Sequence, residues 1–152
     1  MIDDKSLEIL RIIQQKARIP NIEVSRQVGL APSAVLERIR KMEKQGIIDG
    51  YEVRLNPERF DCAQLAFIKV QATASDCQKV GEKLAQIPVI QEVHFVAGED
   101  CYLIKIRTGN TNSLGQLLCE HIQAIHGVVA TQTMTVLSTV KETSRIQIQH
   151  LP

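Results

Sequence analysis

The chain has 152 residues, of which 44% are hydrophobic and 23% charged, and its formal net charge is +1. That composition excludes a disordered polymer and leaves room for one mid-sized domain or two small ones. No stretch approaches the roughly 18 consecutive apolar residues of a membrane helix, and Met1-Ile2-Asp3-Asp4-Lys5 carries acids where a secretion signal needs positive charge. A cytoplasmic protein with no membrane partner is expected. Cys62, Cys77, Cys101 and Cys119 form no C-x-x-C pair, so free and mostly buried thiols are expected rather than disulfides or zinc. His94, His121, His126 and His150 lack ligand spacing too, and neither a metal nor a cofactor is expected.

The first elements are helical. Asp3 and Asp4 precede Leu7, Ile9, Leu10 and Ile13, which predicts an amphipathic helix over about residues 4–15. Ile19-Pro20-Asn21 breaks it, and Asn21 is placed to cap a short second helix with Val24 and Val28 inward. Gly29-Leu30-Ala31 turns the chain, and Pro32 suits the first position of a third helix that Gly46 stops. The third helix buries Val35, Ile39 and Met42, with Leu36 alongside. At 100° per residue, Ser33, Glu37, Arg40, Lys41 and Lys44 gather opposite, flanked by Ala34 and Arg38. Residues 1–60 hold 11 Lys and Arg against 9 Asp and Glu, and residues 61–152 hold 7 against 8. The notable charge is therefore local: Arg38, Arg40, Lys41 and Lys44 on one helix.

From Gly50 the period changes to two. Tyr51, Val53 and Leu55 alternate with Glu52, Arg54 and Asn56, which predicts a connecting strand closed by Pro57. A domain boundary is placed near residue 60, giving domains 1–60 and 61–152. Beyond it the pattern is strand (65–74), helix from Asp76, strand (89–96), strand (102–107), helix (111–125) and a long strand (128–140). His121 falls on the apolar side of the second of these helices, as a structural histidine would. This β-α-β-β-α-β order is the ferredoxin-like arrangement, with two helices on one face of an antiparallel sheet. The other face carries Phe67 and Leu103 beside Lys69 and Lys105, a mixture that suits a subunit interface. The fold class expected is thus α+β, a winged helix-turn-helix followed by a ferredoxin-like domain.

Three stretches carry a family resemblance: Asp4–Gln14, with Leu7, Ile9, Leu10, Arg11 and Ile13; Asn21–Ile48, N-I-E-V-S-R-Q-V-G-L-A-P-S-A-V-L-E-R-I-R-K-M-E-K-Q-G-I-I; and Val96–Ile106, V-A-G-E-D-C-Y-L-I-K-I. With them the chain resembles the leucine-responsive regulatory protein/AsnC (feast/famine) family of transcription factors over about Ile2 to Lys141. It departs from the family's pattern at Ala31, where a serine is common, and at Asp100-Cys101, where the acid sits one position early.

The resemblance implies a sequence-specific regulator that binds double-stranded DNA and responds to a small effector, an amino acid, as a homo-oligomer of dimers (a tetramer or octamer). Third-helix insertion into the major groove would bring Ser33, Ala34, Glu37 and Arg38 to base edges, with Ala34 meeting a thymine methyl, Glu37 a cytosine amino group and Arg38 a guanine. Arg40, Lys41 and Lys44 would hold phosphates. The alternative for this helix is a solvated surface for a protein partner. The effector site is implied where the Gly98–Tyr102 turn meets another dimer, with Gly98, Asp100, Cys101, Tyr102, Thr131, Thr133, Met134 and Thr135. Cys101 in place of the usual acid favours an apolar or sulfur-containing amino acid. A tight turn with solvated acids explains Gly98 equally well. The alternative function is a sirohaem decarboxylase-like enzyme on the same two-domain plan, although Gly50-Tyr51-Glu52 stands where those enzymes carry arginines.

Overall fold

The computed structural model describes residues 2–98 and 102–148. Their contacts divide them into two compact units, one from the described residues of Met1–Arg54 and of Lys141–Pro152, the other from Leu55–Val140. The first crossing falls a few residues before the boundary expected at residue 60, and the chain returns to the first unit after Val140.

The first unit contains α1 (Asp4–Gln15), α2 (Asn21–Val28) and α3 (Pro32–Lys44). Asp3 is the N-cap of α1, its Oδ1 accepting from the Ser6 amide at 2.9 Å. Asn21 does not cap α2. Helical bonding starts one residue earlier at Pro20, whose carbonyl accepts from the Glu23 and Val24 amides. Gly29 ends α2 in the left-handed region at φ 69°, where a side chain would be strained. Lys5 reaches from α1 to donate to the Val28 carbonyl at 2.8 Å, occupying an acceptor that the end of α2 leaves open. Ile9, Ile13, Val24, Val28, Val35, Ile39 and Met42 form the core. Removing that apolar area from water holds three short helices that are marginal alone.

No strand forms at Tyr51–Leu55, contrary to the alternating pattern. Tyr51, Val53 and Leu55 are 52%, 84% and 60% exposed, and no ladder partner lies beside them among the described residues. Alternation specifies the two faces of a strand, but pairing requires a neighbour. The Tyr51 hydroxyl instead donates to Glu43 Oε1 at 2.9 Å, and burial together with that carboxylate pushes its pKa up to about 12. The returning tail lies along α1. Gln14 donates to the Ile146 carbonyl and accepts from the Ile146 amide, both at 2.9 Å, and Arg145 donates to the Gln15 carbonyl at 3.3 Å.

The second unit starts with a 3-10 turn, Pro57–Phe60, then β1 (Gln64–Ala72), α4 (Cys77–Ala85), β2 (Ile90–Phe95), β3 (Tyr102–Thr108), α5 (Thr111–Leu117), a π turn (Leu118–Ile122) and β4 (Val128–Thr135). The sheet is antiparallel in the order β2-β3-β1-β4. Ala66, Ile68, Val70, Tyr102, Ile104 and Ile106 point to one face, where Val80 and Leu84 of α4 and Leu114, Leu117 and Ile122 cover them. Both helices therefore lie on one side, as the ferredoxin-like order requires.

Three expectations change here. The expected helix to Ile125 widens into the π turn after Leu117, which alters the angular step and leaves His121 exposed while Ile122 is fully buried. The final strand stops at Thr135, which pairs with Ala66, although β1 itself runs back to Gln64. Leu137 and Val140 beyond it are almost wholly exposed. The thiols are not mostly buried: Cys62 and Cys77 are half-buried and Cys119 is exposed. Among the described residues no helix is long and apolar enough to cross a membrane, and no cluster of His, Cys, Asp or Glu could hold a metal ion.

Candidate nucleic-acid interface and effector region

Helix α3 carries the candidate DNA face. Pro32 stands at its first turn, and Ala31, the N-cap, makes no side-chain capping bond. Val35, Ile39 and Met42 anchor the inner side in the three-helix core. That anchoring leaves Ser33, Glu37, Arg40, Lys41 and Lys44 exposed, with Ala34 and Arg38 half-buried at the edge. Lys41 and Lys44 also lie in the last turn, where positive charge complements the helix dipole. A stripe of polar and cationic side chains on a rigid helix is what groove insertion demands.

Arg38 has partners that the sequence did not suggest. Its Nη1 donates to Asp3 Oδ2, forming a salt bridge, and to Ser6 Oγ at 3.2 Å. The Ser6 amide bond and the Arg38 bond together hold the Asp3 carboxyl below the usual carboxylate range. One signal was available in the sequence. By helix geometry Arg38 lies only about 60° from Val35, so it turns toward the packed side rather than toward the outer stripe.

The effector residues are spread across the sheet. Gly98 has a φ of 128°, and a Cβ there would meet nothing within 4 Å, so backbone conformation rather than crowding demands the glycine. Asp100 and Cys101 lie outside the described residues. Tyr102 is buried in the core with its ring over Gly81, and Phe95 meets that ring edge-on at a centroid distance of 5.5 Å. Thr131 accepts from Gln123 Nε2 at 2.9 Å. Register places Thr131, Thr133 and Thr135 in line with Val70, Ile68 and Ala66 on the helix-covered face, so Met134 opposite Phe67 is on the open face.

The β2–β3 hairpin and β4 also occupy opposite edges of the sheet, with β1 between β3 and β4. Among the described residues, Gly98 and the β4 residues Thr131–Thr135 are therefore not gathered into a single pocket within one chain. A concavity of about 420 Å³ is bounded by Asp76, Lys79, Lys83, His121 and Ile125, and none of the described effector candidates lines it.

On the open face, Lys105 donates to Glu92 Oε1 at 3.1 Å and Glu92 Oε2 bonds His94 Nε2 at 3.1 Å. The His94 bond first, then Lys105, hold the Glu92 carboxyl below its ordinary range. This pairing neutralises charge on a face that also presents Phe67, Leu103 and Met134.

Comparison with known proteins agrees with this architecture. Residues 2–49 match the family model for a winged helix-turn-helix DNA-binding domain, and residues 65–146 match the model for the Lrp/AsnC ligand-binding domain. The leucine-responsive regulatory proteins of Escherichia coli K12 and Klebsiella pneumoniae are each 35% identical to this chain, covering 97% of it and 92% of their own length. Among solved structures, a Neisseria meningitidis transcriptional regulator in complex with L-Met superposes with a TM-score of 0.94 at 28% identity, covering 99% of both chains. E. coli AsnC superposes with a TM-score of 0.89 at 25% identity, covering 95% of this chain and 98% of its own. The chain belongs to the Lrp/AsnC family of transcriptional regulators, with an N-terminal helix-turn-helix DNA-binding domain and a C-terminal ligand-binding domain.

Proposed function

We propose that α3 enters the major groove of double-stranded DNA, that Ser33, Ala34 and Glu37 face bases and that Arg40, Lys41 and Lys44 hold phosphates. The single observation that supports this most strongly is the division of α3 into a buried apolar side and an exposed polar and basic side. One such helix makes few contacts, so binding as a two-fold pair on inverted half-sites about 34–36 Å apart, or a multiple of that spacing, is the arrangement proposed. The pair is assigned to the open sheet face, where Phe67, Leu103 and Met134 adjoin the paired charges of Lys105 and Glu92. Pairs then assemble into a tetramer or octamer. A regulator working on DNA is expected in the cytoplasm.

The ligand-binding domain is assigned an amino-acid effector. Because Gly98 and Thr131–Thr135 lie at opposite sheet edges, a second chain completes the site. Asp100 would hold the ammonium group and Cys101 would face an apolar or sulfur-containing side chain. The L-Met complex of the Neisseria regulator makes L-methionine the first candidate. Regulation is preferred over the decarboxylase alternative because the relatives named above are transcriptional regulators.

The test is selection from a random duplex library with the purified full-length protein, repeated with L-methionine and a panel of other amino acids. A selected inverted repeat whose retention changes with one amino acid is expected. A duplex pool no different from the input would remove the DNA reading. Selection that no amino acid alters would remove the effector reading alone.

A further inference from the structure

We propose that Arg38 is a positioning residue, which fixes the DNA-facing helix α3 to the start of α1 through Asp3 and Ser6 and leaves base reading to its neighbours. This rests on the reading of α3 as the groove helix.

Asp3 divides its two oxygens between two tasks. Oδ1 accepts the Ser6 amide and so starts α1, while Oδ2 accepts Arg38 Nη1 from α3. The same Nη1 donates to Ser6 Oγ, and Ser6 is only 7% exposed, so its position is set by the packed interior. The side chain of Arg38 is 33% exposed, whereas Arg40 and Lys41 are exposed on the outer stripe.

Both hydrogens of Arg38 Nη1 are engaged by a carboxylate and a buried hydroxyl, so a guanidinium that reached a guanine with that nitrogen would have to abandon them. Kept in place, it does something the apolar contacts do not. Val35, Ile39 and Met42 hold α3 against the core and fix which of its sides faces outward, but many small dispersion contacts set its fine angle less tightly than a directional bond does. Donation to two acceptors at the head of α1 is directional, and it sets the angle at which Ser33, Ala34 and Glu37 are presented. The apposed charges of Asp3 and Arg38 also cancel, so this edge adds little to non-specific attraction for phosphates.

The variants Asp3→Asn, Arg38→Gln and the double mutant distinguish the possibilities, because asparagine still caps a helix while removing the charge that holds Arg38. Each full-length variant is titrated against the duplex selected by the parent, against every single-base-pair change in it, and against an unrelated duplex, at several salt concentrations. Far-ultraviolet circular dichroism confirms that each remains folded.

Asp3→Asn and Arg38→Gln are each expected to weaken binding to the selected duplex by about two- to fivefold, as loss of one partly exposed ion pair would. The double mutant should be no worse than either single variant, since both remove the same interaction. Because Ser33, Ala34 and Glu37 are then presented less uniformly, preference is blunted modestly across the contacted base pairs rather than lost at one, and the salt slope stays as in the parent. Weaker binding by Asp3→Asn is the telling result, because deleting an anion beside DNA should by itself tighten binding. The proposal is overturned if Asp3→Asn binds more tightly while Arg38→Gln loses preference at one base pair, which makes Arg38 a base contact. It is equally overturned if Arg38→Gln lowers the salt slope by about one, the mark of a phosphate contact. A parent that selects no duplex overturns the DNA reading itself, and this inference with it.

Discussion

The two units place their candidate sites in opposite ways. In the first, one helix of 13 residues, Pro32–Lys44, carries every candidate DNA residue, and its buried side sets the direction of its exposed side. In the second, the described effector candidates belong to the β2–β3 hairpin and to β4, with β1 between them, and alternation along β4 sends Met134 to the face away from the threonines. A site on one helix is complete within one chain. The effector site proposed for the second unit would draw on a second chain, and a ligand held in that way would couple to assembly.

The largest effect expected is in the ferredoxin-like core. Ile104 is fully buried at the sheet centre, so Ile104→Ala should cost about 2–5 kcal/mol, the usual range for such a truncation. Calorimetry should show the loss in one transition, that of Leu55–Val140, with the helical unit melting as before. A common shift of all melting would mean that the two regions are one cooperative body and the comparison fails.

Next is the DNA face. Arg40→Ala with Lys41→Ala should weaken binding to all duplexes and lower the salt slope by about two, one for each lost phosphate contact. Equal affinity for parent and double mutant in filter binding at moderate salt would remove α3 from the groove.

Gly81→Ala comes third. Alanine in place of a helical glycine normally stabilises, but here the added Cβ would lie 2.3 Å from the Tyr102 hydroxyl. Overpacking of about 1–3 kcal/mol is expected instead, and a raised melting temperature would show that Tyr102 moves freely aside.

The smallest effect is a pH dependence on the open face. The folded Glu92 carboxyl titrates below its ordinary value of 4.5, so its stabilising contribution is complete above that pH and is lost as the pH falls through the folded value. Glu92→Gln should flatten the acid limb and lower stability at neutral pH by that same small increment, since the variant keeps the shape of the side chain but not the charge that Lys105 and His94 meet. An acid limb that is identical in parent and variant would show that Glu92 gains nothing from His94 and Lys105.

Legibility differed between the regions for a physical reason. The helices of the first unit could be read from periodicity, the N-terminal acids, Pro32 and Gly46, all of them local signals. The α3 stripe followed from the 100° step alone. The Asp3–Arg38 bond was hidden because it joins residues 35 positions apart, and only the crossing of α1 and α3 brings them together. The Gln14–Ile146 bonds span 132 positions and were equally invisible. In the second unit the order of elements was legible, but the π turn was not. It exposes His121 against the helical pattern, and the Gly81–Tyr102 contact depends on how α4 crosses the sheet.

Sequence by itself therefore determined the order and type of most helices and strands, which side of α3 turns inward, and which family the chain resembles, because these depend on neighbours within a few residues. Tertiary structure alone decided that Tyr51–Leu55 stays unpaired, that β4 ends at Thr135 opposite Ala66, and that Arg38 bonds to the head of α1. Pairing, edges and ion pairs between elements exist only when distant segments meet, and local periodicity holds no record of that meeting.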